Sequence, residues 1–328
     1  MRIIIDGMGG DKGYKEVVKG SVDAVKELGV EILIVGKEDI IEEELKKYDY
    51  PQGAIEIMNA NDVITNDDEP ALAVRRKKDS SMVVGLKALA EDKGDGFISA
   101  GSTGALLAGG LFIVKRIPGI ERAALATVYP TTKGISLLID AGANVDSKPE
   151  YLKQFAIMGS IYCEKILGYK NPKVALANIG TEEGKGNALV KEAYALLKES
   201  NINFIGNVEA RDIPEGVCDV IVCDGFVGNI ILKLTEGMAI SIFSLLKKEL
   251  TASLKSKFGA LILKPQFGAL KSKMDYREYG GAPLLGLKKP VIKAHGSSDA
   301  LAIKNAIRQV KNFVENGVIN LIENDINN

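Results

Sequence analysis

The sequence predicts a three-layer α/β/α protein with helices on both faces of a mostly parallel sheet, and three observations carry that expectation. Apolar, β-rich runs alternate with helical stretches along the chain. Most of these runs lack polar alternation, as strands buried on both faces do. At four places a run stops at a glycine-rich or Asp/Asn-bearing turn from which a helical pattern starts, namely residues 6–11, 99–104, 178–187 and 224–229. Strand carboxyl ends are where ligands bind in open α/β sheets, so these turns are expected at the working edge, around a shared crevice.

In chain order, strands are expected at 3–5, 32–35, 55–58, 96–99, 123–128, 136–139, 174–177, 203–205 and 219–223, with helices between them. The stretch Gly96 to Val114 carries no charge, but its glycines with Ser99, Ser102 and Thr103 fit a buried strand, a turn and a core-facing helix better than a membrane span. A helix from about Lys148 to Leu167 is announced by Asp146-Ser147 as cap, with Pro149 and Glu150 in its first turn. From Gly228 onward the pattern becomes one long amphipathic helix with Ile231, Leu234, Met238, Ile242, Leu245, Leu246, Leu250 and Leu254 on a stripe. Glycines and Pro265 between Phe258 and Leu270 then imply a reversal, giving a helical hairpin over about 228–275 with an apolar tip at Leu261, Ile262 and Leu263. Two readings of the tip stand side by side. It packs into its own core or a dimer partner, or it dips into a membrane surface beside Lys255, Lys257, Lys264, Lys271 and Lys273. Ser297 or Ser298 is expected to cap the last helical region.

The chain has 328 residues, 46% apolar and 26% charged, enough to build a full core without disulfides or metal. A formal charge of −1 gives no global electrostatic argument for nucleic acid. Cys163, Cys218 and Cys223 form no C-x-x-C pair and there is one histidine, so the cysteines read as reduced, buried thiols and not as a zinc site. The N-terminal Ile3-Ile4-Ile5 meets Asp6 too soon for a signal-peptide core, and no export signal is visible.

Three familiar signatures fail. A dinucleotide fingerprint starting at Gly7 and Gly9 has Lys12 at its third position. A nucleotide-triphosphate loop fails because Gly180 and Gly184 are one residue too close and Gly186 follows Lys185. The run Asp140 to Asp146 starts like a calcium loop but places Val145 where glycine belongs and Tyr151 where glutamate belongs. What remains is Lys185 in a glycine turn, with Asn178, Thr181 and Asn187 as polar neighbours, a set suited to phosphate. His295 stands alone, and consecutive residues do not form a Ser-His-Asp triad, so it is either structural or faces the crevice. Arg75, Arg76, Lys77 and Lys78 form either a solvated face or a landing patch for an acidic partner.

Taken together, residues 5–11, Pro70-Ala71 with 75–81, 99–104, 140–144, 178–187, 206–209, 224–229 and 294–298 resemble the bacterial phosphate acyltransferases of the PlsX type, over essentially the full length. The resemblance implies an enzyme that moves a long fatty acyl chain from acyl carrier protein to inorganic phosphate, giving acyl phosphate for phospholipid synthesis. It implies a fold like the isocitrate and isopropylmalate dehydrogenases and the phosphotransacetylases. It further implies a cytoplasmic homodimer attached peripherally to the inner face of the membrane, with a downstream acyl-phosphate acyltransferase, no metal and no cofactor. In this fold the last segment returns to the first domain, so the expected division is 1–147 plus 276–328 against 148–275.

On this reading Lys185, His295 and Asn229 are the expected catalytic residues. Asp6, Gly9, Gly10, Ser102, Thr103, Asn144, Asn178, Gly180, Thr181, Gly228 and Ser297 are expected to line the phosphate and substrate site. Bound phosphate attacks the thioester carbonyl directly, since a thiolate leaves without a strong acid. The alternatives are a phosphotransacetylase using short-chain acyl coenzyme A and an NAD-dependent hydroxyacid dehydrogenase on the same fold.

Overall fold

The computed structural model describes residues 1–273 and 279–327. Its strands are β1 (Arg2–Asp6), β2 (Glu31–Gly36), β3 (Ile55–Asn59), β4 (Gly96–Ser99), β5 (Ala124–Thr131), β6 (Gly134–Ile139), β7 (Val174–Asn178), β8 (Phe204–Glu209), β9 (Val220–Val222), β10 (Ala282–Leu285) and β11 (Val291–Lys293). They form a single sheet in the order β3-β2-β1-β4-β11-β10-β5-β6-β9-β7-β8. All nine strands read from the sequence are present, and the sheet is mostly parallel as expected. The exceptions are the β11–β10, β10–β5 and β5–β6 pairings.

The apolar runs lack polar alternation because helices cover both faces. On β1, Ile3 and Ile5 pack beneath the helices Tyr14–Leu28 and Ala300–Glu315, whereas Ile4 faces Leu86 and Leu89 of the helix Ser81–Ala90. In the second half, Leu137, Ile139, Val220 and Val222 pack with Leu152 and Phe155 of the helix Pro149–Lys165. Cys163, Cys218 and Cys223 are free and buried, as the sequence indicated.

The unforeseen pair β10 and β11 changes the geometry. Because β10 is antiparallel to both β11 and β5, and β6 is antiparallel to β5, strands β6 to β9 run opposite to β1, β4 and β11. Carboxyl ends therefore point in opposite directions in the two halves, and the single working edge expected from the sequence is divided in two.

Three local expectations are corrected. The helix Pro149–Lys165 is preceded by Lys148 in an extended conformation with no side-chain cap, because Pro149 at the first turn already removes one orphan donor. The cap of Ala300–Glu315 is Asp299, which accepts from Ala302 N, not Ser297 or Ser298. The hairpin region is a helix of 26 residues, Gly225–Leu250, followed by Leu254–Ile262 and Lys264–Lys273, with breaks at 251–253 and at Leu263. The domain limit expected at 275 and 276 lies outside the described residues.

Gly225–Leu250 is long and apolar enough, by length and composition, to cross a membrane. Its first turns are nevertheless docked on the sheet. Ile231 and Leu232 pack against the core, and Thr235 meets Tyr129 of β5 through their hydroxyls at 3.0 Å. Farther along, Ile240 and Leu245 are exposed, and on the next helix Leu261 and Ile262 are 65% and 62% exposed.

Candidate active site

The first group of turns converges at the carboxyl ends of β1, β4 and β11. Asp6 ends β1 and is buried, accepting from Ser81 Oγ and Ser99 Oγ at 2.6 Å each and from Met8 N at 3.2 Å. Burial holds its carboxyl above the usual range, although the hydrogen bonds from Ser81, Ser99, Met8 and Gly9 oppose that shift. The turns beyond the strands meet main chain to main chain. A Cβ on Gly9 would lie 2.7 Å from Gly101 N, and Asp11 N donates to Gly296 O at 2.7 Å. Gly10 has φ of 93°, a conformation that glycine adopts without strain. Ser102 caps the helix Thr103–Gly109, accepting from Ala105 N, with Thr103 exposed beside it.

The third turn brings His295 and Ser297. His295 Nδ1 accepts from Ser297 N at 3.2 Å and lies 2.8 Å from Ser297 Oγ, which leaves the proton of the neutral ring on Nε2. Partial desolvation lowers the imidazole pKa; Glu236 opposes this, and Lys233 and Lys293 reinforce it. Lys233 and Glu236 belong to the long helix and pair with each other at 2.7 Å. Lys293, the last residue of β11, completes the group. Its Nζ donates to Ala100 O at 3.3 Å and to Ala294 O. Burial pulls its pKa down to about 8, opposed by Asp11 and Asp6 and aided by Lys233.

The second group forms where β6 and β9 end. Asp140 is fully buried and accepts from the backbone of Leu125, Gly142, Ala143 and Asn144. Burial raises its pKa too, against those bonds. Asn144 gives its amide to Asp140 Oδ2 and Ala123 O, both at 2.8 Å, and its carbonyl accepts from Gly225 N at 2.7 Å. Asp224 caps the long helix through Val227 N. Gly228 is required there, since a Cβ would fall 1.9 Å from Asp140 O. Asn229 is exposed, close to Gly142. From Gly228 to Thr235 the helix rises about 10 Å, so it links this group to the first.

The turn after β7 leaves the same edge of the sheet as this second group, since β7 is the parallel neighbour of β9 with Leu176 paired to Val222. Asn178 Oδ1 accepts from Ile179 N and its amide donates to Lys185 O, closing the loop; Gly186, at φ 93°, sits against the same side chain. Gly180 is buried, and Thr181 and Lys185 are exposed. Asn187 caps the next helix through Val190 N, and side chains of Asn207 and Lys198 bond the loop at Glu182 O and Glu183. The structure thus brings together Asp6, Gly9, Gly10, Ser102, His295 and Ser297, and separately Asn144, Gly228 and Asn229. Asn178, Gly180, Thr181 and Lys185 lie on the turn of the neighbouring strand β7, at the same edge of the sheet as that second set.

The basic run divides as well. Lys77 is held by Asp68 at 2.8 Å and by Val63 O, whereas Arg75 and Lys78 are exposed and line a groove of about 520 Å³ with Lys87 and Phe112. The Arg75 guanidinium lies 5.4 Å from the Phe112 ring centre. Arg76 is exposed beside this groove.

Sequence reasoning missed Ser81, Lys293 and Lys233. A lysine closing the apolar run Val291-Ile292, two residues before His295, was the available signal for the second of these.

The architecture is that of the phosphotransacetylase-like α/β proteins. A phosphotransacetylase from Streptococcus pyogenes superposes with a TM-score of 0.65 at 20% identity, covering 96% of this chain and 94% of that one. A 4-hydroxythreonine-4-phosphate dehydrogenase from Klebsiella pneumoniae superposes with a TM-score of 0.51 at 14% identity, covering 95% of this chain and 98% of that one. The sequence is more specific. The profile of the fatty acid synthesis protein family matches residues 1–321. Proteins named phosphate acyltransferase from Alkaliphilus oremlandii and Clostridioides difficile are 59% and 54% identical to it, over 99% and 97% of this chain and 97% and 94% of theirs. The chain belongs to this family, that of the bacterial phosphate acyltransferases its motifs resemble.

Proposed function

We propose that this acyltransferase moves a long-chain fatty acyl group from the thioester of acyl carrier protein to inorganic phosphate, giving acyl phosphate for phospholipid synthesis. The observation that carries the reading is full-length similarity to phosphate acyltransferases in a chain whose Asp6, Ser99 and His295 turns meet. A phosphate oxygen forms a bond to the thioester carbonyl carbon, and the carbon–sulfur bond breaks as the tetrahedral intermediate collapses. The thiolate takes a proton from solvent or from His295 Nε2. Phosphate near neutrality is largely dianionic and a thiol is a good leaving group, so the protein's part is to position the reactants and stabilise the oxyanion.

Lys185 and Asn229 serve the acyl half of the reaction in this proposal, and the turns at Gly9, Gly10 and Ser102 serve phosphate. The exposed apolar stripe of Gly225–Leu250 supports a homodimer, and the exposed Leu261, Ile262 and Leu263 support peripheral attachment to the cytoplasmic face of a membrane. There the water-labile product passes to a downstream acyl-phosphate acyltransferase. Arg75 and Lys78 face the acidic carrier.

The test is an assay with acyl carrier thioester, long- and short-chain acyl coenzyme A, phosphate and NAD supplied in turn. Phosphate-dependent thiol release from the long-chain carrier thioester is the expected result. Preference for short-chain acyl coenzyme A, or turnover only with NAD, overturns it.

A further inference from the structure

The register of the first half of the sheet sets three polar side chains in one row. Ile5 pairs with Ile98, so Asp6 and Ser99 occupy the next step of β1 and β4, and Lys293 of β11 pairs with Ser99. Paired positions on adjacent parallel strands face the same side, so carboxyl, hydroxyl and ammonium stand side by side where the strands end. The carboxyl is occupied by two hydroxyl donors and a backbone N–H.

The ammonium has a different environment. Two carbonyls, Ala100 O and Ala294 O, take two of its three protons. Among the described residues no carboxylate lies within ion-pairing distance of it. Asp6 and Asp11 act on it from farther away, Lys233 repels it while pairing with Glu236, and His295 is the remaining titratable group beside it. A partly buried cation without a counter-ion is costly, and proteins tolerate one where a ligand supplies the missing charge. Here the cation lies beside Ala100 and Ala294, where the three glycine-bearing turns meet main chain to main chain, so an incoming anion finds a charge and polar backbone together.

We propose that Lys293 is the cation that receives the phosphate dianion, its third N–H bonding a phosphate oxygen and holding the nucleophile at the ends of β1, β4 and β11. This rests on the acyl-transfer reading and assigns to Lys293 the charge that the sequence placed on Lys185. Lys293 would touch substrate directly, while Ser99 and Asp6 position the row.

The experiment compares wild type, Lys293→Met and Lys293→Arg for steady-state phosphate KM, KM for the acyl donor, and the rise in melting temperature that inorganic phosphate produces without acyl donor. Lys293→Met should raise the phosphate KM by about 10- to 100-fold and abolish the phosphate-induced thermal shift, with donor KM within about twofold, as loss of a charge-assisted bond predicts. Lys293→Arg should recover most of the loss. In wild type, phosphate affinity should weaken as pH rises through about 8, as the Lys293 ammonium loses its proton. A folded Lys293→Met protein with unchanged phosphate KM and thermal shift overturns the assignment while leaving acyl transfer intact. If that variant does not fold, Lys293→Gln and the wild-type pH profile decide, and a flat profile overturns it. A wild-type protein that releases no thiol from any thioester with phosphate overturns the underlying reading instead.

Discussion

Replacing Asp6 with asparagine tests whether the buried carboxyl at the end of β1 resists ionisation. Asp6 is 2% exposed and burial outweighs the hydrogen bonds from Ser81, Ser99, Met8 and Gly9, so its folded pKa lies above the usual 3.8. Between those two values the native chain keeps a proton that the unfolded chain has released. Native protein therefore binds more protons across that window, and unfolding free energy falls as pH rises through it, levelling off above the folded pKa. For one group the slope is at most about 1.4 kcal/mol per pH unit. Asp6→Asn removes the titrating group, so the stability of wild type minus that of the variant isolates it from the similarly raised Asp140. Measured by urea unfolding from about pH 4 to about pH 8, this difference should decline and then flatten. Ser99→Ala sharpens the test. It deletes a 2.6 Å bond that favours the ionised form. Losing a bond that favours the carboxylate raises the folded pKa further, so the variant should extend the declining region to higher pH. A difference independent of pH, or one that grows with pH, would refute the argument that desolvation dominates at this site.

Three other predictions concern surfaces and the Lys185 loop. Lys185→Ala should lower kcat/KM for the acyl donor by about 100-fold or more if its ammonium meets the oxyanion, with no change in melting temperature because the side chain is exposed; normal turnover removes Lys185 from the mechanism. Leu261→Glu with Leu263→Glu should abolish sedimentation with anionic lipid vesicles while turnover of soluble substrate persists, and unchanged vesicle binding defeats the membrane reading. Arg75→Glu with Lys78→Glu should raise KM for carrier-linked substrate and flatten its salt dependence, leaving an acyl coenzyme A donor unaffected; equal effects on both donors would contradict a carrier-specific patch.

Most of the nine strands legible in the sequence are buried on both faces and read as apolar runs bounded by turns, while the edge strands β3 and β8 are only partly buried. β10 and β11 share that burial but have only four and three residues, and Pro283, Gly286 and Pro290 lie within and between them. The prolines and glycine break the apolar pattern there, yet this pair inverts the second half of the sheet and decides which turns meet. The same limit governs the site. Glycine turns advertise backbone that can approach an anion, which is why the sequence points to the turns of Gly9, Ser102 and His295. The groups that fix the Asp6 carboxyl come from far away, Ser81 lying 75 residues and Ser99 lying 93 residues from it. Lys185 shows the converse. Its turn has the composition of a phosphate loop, but composition is a local property. Strand direction decides what the turn faces, and here β7 runs opposite to the strands that carry Asp6, Ser99 and Lys293. A lysine at the end of a buried strand is a weaker signal in the sequence than a lysine among glycines. Sheet register, which the sequence does not display, is what sets that lysine in one row with Ser99 and Asp6.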